Sequence, residues 1–76
     1  MKKYFFDVVG EGCMELDFHG RAFAEPQKAL ETAHMIALDM EVGYAEEYSG
    51  RVVHVRTAIG ENLFSVPIRM PDQIAA

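Results

Sequence analysis

Cysteine occurs once in this chain, at Cys13, and tryptophan does not occur. A lone thiol excludes an intramolecular disulfide and a thiolate metal cluster, and it suits a reducing compartment. Basic residues are scarce as well: seven against twelve acidic ones, for a net charge of −5. Nucleic-acid binders carry a lysine- and arginine-rich stripe that displaces counterions from phosphates, and no such run exists here. No nucleic-acid partner is expected. Long apolar runs are missing too. The Met1-Lys2-Lys3 start has the charge of a signal peptide, but the apolar stretch behind it is short and broken by Asp7. Nothing approaches the ~20 apolar residues of a membrane span. The expectation is a soluble cytoplasmic protein with no membrane partner.

What is present fits a folded chain. Half the residues are hydrophobic, a quarter are charged, and no tract is of low complexity. Residues 1–76 read as a single domain, ordered over about 3–69 with a flexible tail at 70–76. At this length folding buries only about 60–65% of the surface exposed by the unfolded chain. Net stability is then roughly 4–11 kcal/mol, which leaves little room for unsatisfied buried groups. The charge is uneven along the chain. Ten acids oppose Lys2, Lys3, Arg21 and Lys28 before residue 51, whereas Arg51, Arg56 and Arg69 outnumber Glu61 and Asp72 after it.

Residues 3–9 are aromatic and β-branched and read as a strand, with Tyr4, Phe6 and Val8 on one face and Phe5, Asp7 and Val9 on the other. Gly10-Glu11-Gly12 supplies a turn. Met14, Leu16 and Phe18 then alternate with Glu15, Asp17 and His19, which predicts a second strand ending at His19-Gly20. Pro26 suits a first helical position. Ala29, Leu30, Ala33, Ala37 and Met40 recur on one helical face, with Ile36 beside them, and Lys28, Glu31, Thr32, Asp39 and Glu41 are assigned to the outer side. Gly43 stops the helix. Residues 44–50 read as a loop or an extra helical turn. Val52–Thr57 alternates again, residues 59–62 form a turn, and the last strand, from Leu63, puts Phe64, Val66 and Ile68 on one face. Pro67 lies inside that strand, which suits a sheet edge.

The fold class that follows is α+β: β-β-α-β-β, a four-stranded, mostly antiparallel sheet with one helix packed on one face. Strand order 2-1-3-4 keeps Pro67 on an edge, and the β-grasp-like order 2-1-4-3 is the alternative. The expected core is Tyr4, Phe6, Val8, Met14, Leu16, Phe18, Leu30, Ala33, Ala37, Met40, Val53, Val55, Phe64, Val66 and Ile68.

Tyr4-Phe5-Phe6-Asp7, Asp17 with Gly20, the Ala29/Ala33/Ala37 ladder with Asp39-Met40, and the Gly60 turn leading to Leu63-Phe64-Ser65-Val66-Pro67 carry a resemblance. Over about residues 3–68 the chain resembles a family of short bacterial proteins described only as a domain of unknown function. The resemblance implies the same β-β-α-β-β fold and no activity, cofactor or catalytic residue.

Candidate chemistry is sparse. Asp17 and His19 share a strand face, and Glu31 and His34 are one helical step apart, but a closed zinc site wants four ligands and nothing links His54 to either pair. No metal, cofactor or catalytic residue is assigned. Cys13 has no partner assignable by spacing, and Gly10-Glu11-Gly12 lacks the third glycine of a dinucleotide motif. The face opposite the helix stands out. Phe5, Val9, Val52, His54 and Leu63, with Pro67, form the candidate interface, interrupted by Asp7, Arg56 and Ser65. The leading expectation is a non-enzymatic interaction or regulatory module that self-associates, as a homodimer, or binds another protein through this face. A small-ligand or metal-binding protein using Asp7, Asp17 and His19 is the alternative, and an enzyme ranks last because so small a layered fold has little room for a concave pocket.

Overall fold

The computed structural model describes residues 1–70. In chain order these form β1 (Lys2–Gly10), β2 (Cys13–Glu15), β3 (Arg21–Phe23), α1 (Pro26–Gly43), α2 (Ala45–Tyr48), β4 (Val52–Thr57) and β5 (Asn62–Pro67). The strands make one antiparallel sheet in the order β2-β1-β4-β5, with β3 also paired to β1. The class is α+β, as expected, and β1 pairs antiparallel with β4 and not with β5, which excludes the β-grasp-like order. The expected flexible tail lies, beyond Met70, outside the described residues.

One expected element is corrected. The second strand does not run on to His19. It stops at Glu15, and the chain returns to the same edge of β1 only at Arg21. Pairing across the Glu11-Gly12 turn sets Val8 opposite Glu15 and Val9 opposite Met14. Residues directly opposite share a face, so Glu15 lies on the helix side and Met14 on the open side, the reverse of the alternation read from sequence. Glu15 is held there by the Tyr48 hydroxyl and by Arg51 Nη1, both at 3.1 Å. Met14, Leu16 and Phe18, expected in the core, are exposed. Their place is taken by Phe23 of β3, whose ring lies 6.2 Å from each of the Tyr4 and Phe6 rings.

The remaining core follows the predicted faces. Tyr4, Phe6 and Val8 of β1, Val53 and Val55 of β4, Val66 and Ile68 are buried against Ala29, Ala33 and Ala37 of α1. Leu30, Met40 and Phe64 are half-buried at its margin. Burial of a Val or Phe side chain contributes about 1.5–3 kcal/mol, so this cluster is the main source of stability. The alanines lack bulk, which lets the helix axis come close to the sheet. Helix α1 starts with Pro26 in its first turn and no side-chain cap on Glu25.

Pro67 sits on the edge strand. The Ile68 N–H donates to the Arg51 carbonyl at 2.8 Å and its carbonyl accepts from Gly50 N–H at 2.9 Å, so Ile68 bonds toward β4. Adjacent strand residues turn opposite ways, which aims the missing N–H of Pro67 at the free edge. A second correction concerns Glu41. Expected on the outer side of the helix, it is buried, and its carboxylate accepts from Arg69 Nη2 at 2.9 Å and from the Arg69 backbone N–H at 3.0 Å. No helix of the described residues is long and apolar enough to cross a membrane.

Candidate functional site

The break between β2 and β3 leaves the middle of β1 without a neighbouring strand on that side. A backbone N–H stranded there would cost a lost hydrogen bond. Asp17 fills the gap: its Oδ2 accepts the Phe6 N–H at 3.1 Å. Its Oδ1 accepts the N–H groups of His19 at 3.0 Å and Gly20 at 3.1 Å, which turns the chain back into β3. Gly20 is required at that bend. Its φ is +69°, and a Cβ there would stand 2.9 Å from the Tyr4 carbonyl oxygen and from the Phe5 ring.

The loop is tied to the open face through Asp7, which is only 5% exposed. Arg56 of β4 forks onto it, Nε to Oδ2 at 2.7 Å and Nη2 to Oδ1 at 3.1 Å, and Nη2 also reaches the Asp17 carbonyl at 3.1 Å. Asp7 Oδ1 in turn accepts the Asp17 N–H at 2.9 Å. The guanidinium lies 4.7 Å above the Phe5 ring, a cation–π contact. Arginine suits this place because its planar fork meets both carboxylate oxygens at once.

The electrostatics agree with the geometry. The Arg56 hydrogen bonds hold the Asp7 carboxyl below the usual carboxylate range, against the upward push of burial. For Asp17 burial is the largest influence and would raise it, but the N–H groups of Gly20, Phe6 and His19 together outweigh it and hold the group low. Arg69 does the same for Glu41. All three stay charged and occupied by donors.

The open face is built in rows. Met14, Val9, Val52 and Pro67 stand opposite one another across four strands and make an apolar row. Asp7, His54 and Ser65 make the polar row beside it, and Phe5 with Arg56 the next. Four of the five candidate interface residues, Phe5, Val9, Val52 and His54, therefore share one face and are half-buried. Leu63 is at its margin. It falls in the bulge at which β5 slips against Val55 and Arg56, and it lines a cleft at the turn end of the sheet with Lys2, Tyr4 and Ile59. Leu16 and Phe18, flanking Asp17, rise from the pinned loop, Phe18 with 81% of its surface exposed. The sequence reading placed these two in the core, and the structure exposes them. Gly20 three residues after Asp17 was the signal that the strand breaks.

The other candidates are dispersed. His19 is exposed in the loop, His34 is exposed on α1 and Cys13 is exposed in β2. Among the described residues no three His, Cys, Asp or Glu side chains converge as metal ligands.

A family model with the description domain of unknown function (DUF6894) matches residues 3–69. The chain belongs to the DUF6894 family. Neither a curated protein nor a solved structure matches it. The match spans the sheet and both helices of this DUF6894 chain. Phe5, Asp7, Asp17 and Gly20, all within the matched residues, meet in one loop anchor.

Proposed function

We propose that this DUF6894 chain is a non-enzymatic interaction or regulatory module of the cytoplasm that pairs with a second copy of itself through the open sheet face. The observation that carries the reading is the composition of that face. Its apolar row runs unbroken across four strands, and its charges cancel, Lys3 and Arg56 against Asp7 and Asp17. On a chain with a net charge of −5, this is the surface on which two copies can meet without setting carboxylate against carboxylate. Two-fold pairing of the same patch is the commonest way for a chain to self-associate, and two sheets facing each other about 10 Å apart would interleave their apolar rows. The pinned loop would hold Leu16 and Phe18 at the rim without further ordering, and a pre-ordered contact loses less entropy on binding. Small-ligand or metal binding through Asp7, Asp17 and His19 is disfavoured, because the oxygens of both aspartates are already occupied by N–H donors.

Sedimentation equilibrium over a wide concentration range tests the pairing. The wild-type chain should shift from monomer to dimer as concentration rises. Val52→Lys should stay monomeric with an unchanged circular dichroism spectrum, because a charge unpaired in a dry contact is costly while Val52 faces away from the core. A wild-type chain monomeric at every concentration overturns the reading.

A further inference from the structure

Helix α1 carries apolar residues on two sides, and the larger ones are outside. Toward the sheet stand Ala29, Ala33 and Ala37. On the opposite side Met35, Leu38 and Val42 are 66%, 53% and 81% exposed. Their spacing of three and four residues places them on one ridge. Surface helices normally keep bulky apolar groups for the core and polar ones for water. Clefts flank the ridge. One of about 420 Å³ lies between Leu38 and the edge strand at Val66 and Pro67. The other, about 330 Å³, lies among Ile36, Met40 and Tyr48 and is lined also by Asp39 and Glu47.

Charge decides what fits there. Lys28 is the one lysine or arginine in residues 26–48, and it is 3.4 Å from Glu31, while Arg69 at the Leu38 cleft is paired with Glu41 at 2.9 Å. Asp39, Glu46 and Glu47 are exposed. A second copy laid on this ridge would bring two acidic helices together, which like-charge repulsion opposes. We propose that the ridge is a docking site for a basic amphipathic helix of a partner protein. The partner's apolar side covers Met35, Leu38 and Val42, and its lysines or arginines reach Glu31, Asp39 and Glu47. The site is on the opposite side of the molecule from the open sheet face and does not depend on pairing there.

The test is fluorescence anisotropy with the full chain and a labelled leucine–lysine amphipathic peptide of about 18 residues, long enough to hold a helix. Saturable binding is expected, weakened about tenfold by Leu38→Ser and by Val42→Ser, with melting temperatures unchanged in both variants. The paired change Asp39→Asn and Glu47→Gln should weaken it several-fold, and Val52→Lys should leave it within about twofold. A leucine–glutamate peptide of the same length should not bind. The proposal is overturned if the lysine peptide fails to bind, if both serine variants bind it as wild type does, if the glutamate peptide binds equally, or if Leu38→Ser abolishes self-association.

Discussion

Asp17 does at the scale of one residue what a strand does elsewhere in the sheet, offering acceptors to a backbone edge that would otherwise be bare. Its side chain, Asp7 and Arg56 form a unit whose parts are not separable. Gly20→Ala tests the bend directly. Forcing a Cβ onto a positive φ and against the Tyr4 carbonyl should cost about 1–3 kcal/mol, read as a lower denaturation midpoint, whereas Gly43→Ala, where a Cβ would meet open space, should not destabilise. The depressed carboxyls make a second prediction. Asp7, Asp17 and Glu41 bind their protons more weakly folded than unfolded, so their contribution is complete above their usual values of 3.8 and 4.5. It is lost as pH falls through the depressed values. Stability should hold from neutral pH to about 5 and then decline, and Asp7→Asn should be less stable at neutral pH with a shallower acid decline. Denaturant midpoints measured across that range check the sign, and a flat wild-type profile would contradict it.

At the scale of elements the decisive feature is the interrupted edge of β1. Phe23 belongs to the core and Phe18 does not. Phe23→Ala should cost about 2–4 kcal/mol, slightly less than a fully enclosed phenylalanine. Phe18→Ala should stay within about 0.5 kcal/mol in the monomer. Paired urea titrations decide it, and equal losses would mean that residues 13–19 form one strand after all. The other elements were legible because their periodicity is clean: Tyr4/Phe6/Val8, Val53/Val55 and Val66/Ile68 alternate, and Ala29/Ala33/Ala37 recur at helical spacing. Residues 13–19 also alternate, and the pattern misled. Hairpin register, set by the two-residue turn, outranks hydrophobicity there and sends Glu15 to the helix side. Glu41 was misplaced for a related reason: a buried carboxylate is tolerated only beside its partner, and Arg69 lies 28 residues away in sequence.

The whole molecule has two dissimilar surfaces, an open sheet face that is locally neutral and a helix side that is acidic around an apolar ridge. Composition and alternation pointed to the first, because Phe5, Val9, Val52 and Pro67 fall on one parity of their strands. Its polar interior was harder to see. Asp7 was placed on the correct face, but its enclosure by Arg56 and the Asp17 loop is a tertiary event that no spacing within one strand encodes. Met35, Leu38 and Val42 stand out as a ridge only once the alanine face is seen to fill the contact with the sheet.

Self-pairing through the open face is the central claim, and methyl-resolved NMR of the wild-type chain across a dilution series tests it most directly. Shifts that move with concentration should be confined to Met14, Val9, Val52 and Leu16, leaving Leu38 and Val42 still. Concentration dependence at Leu38 and Val42 with none at Val9 and Val52 would contradict the account.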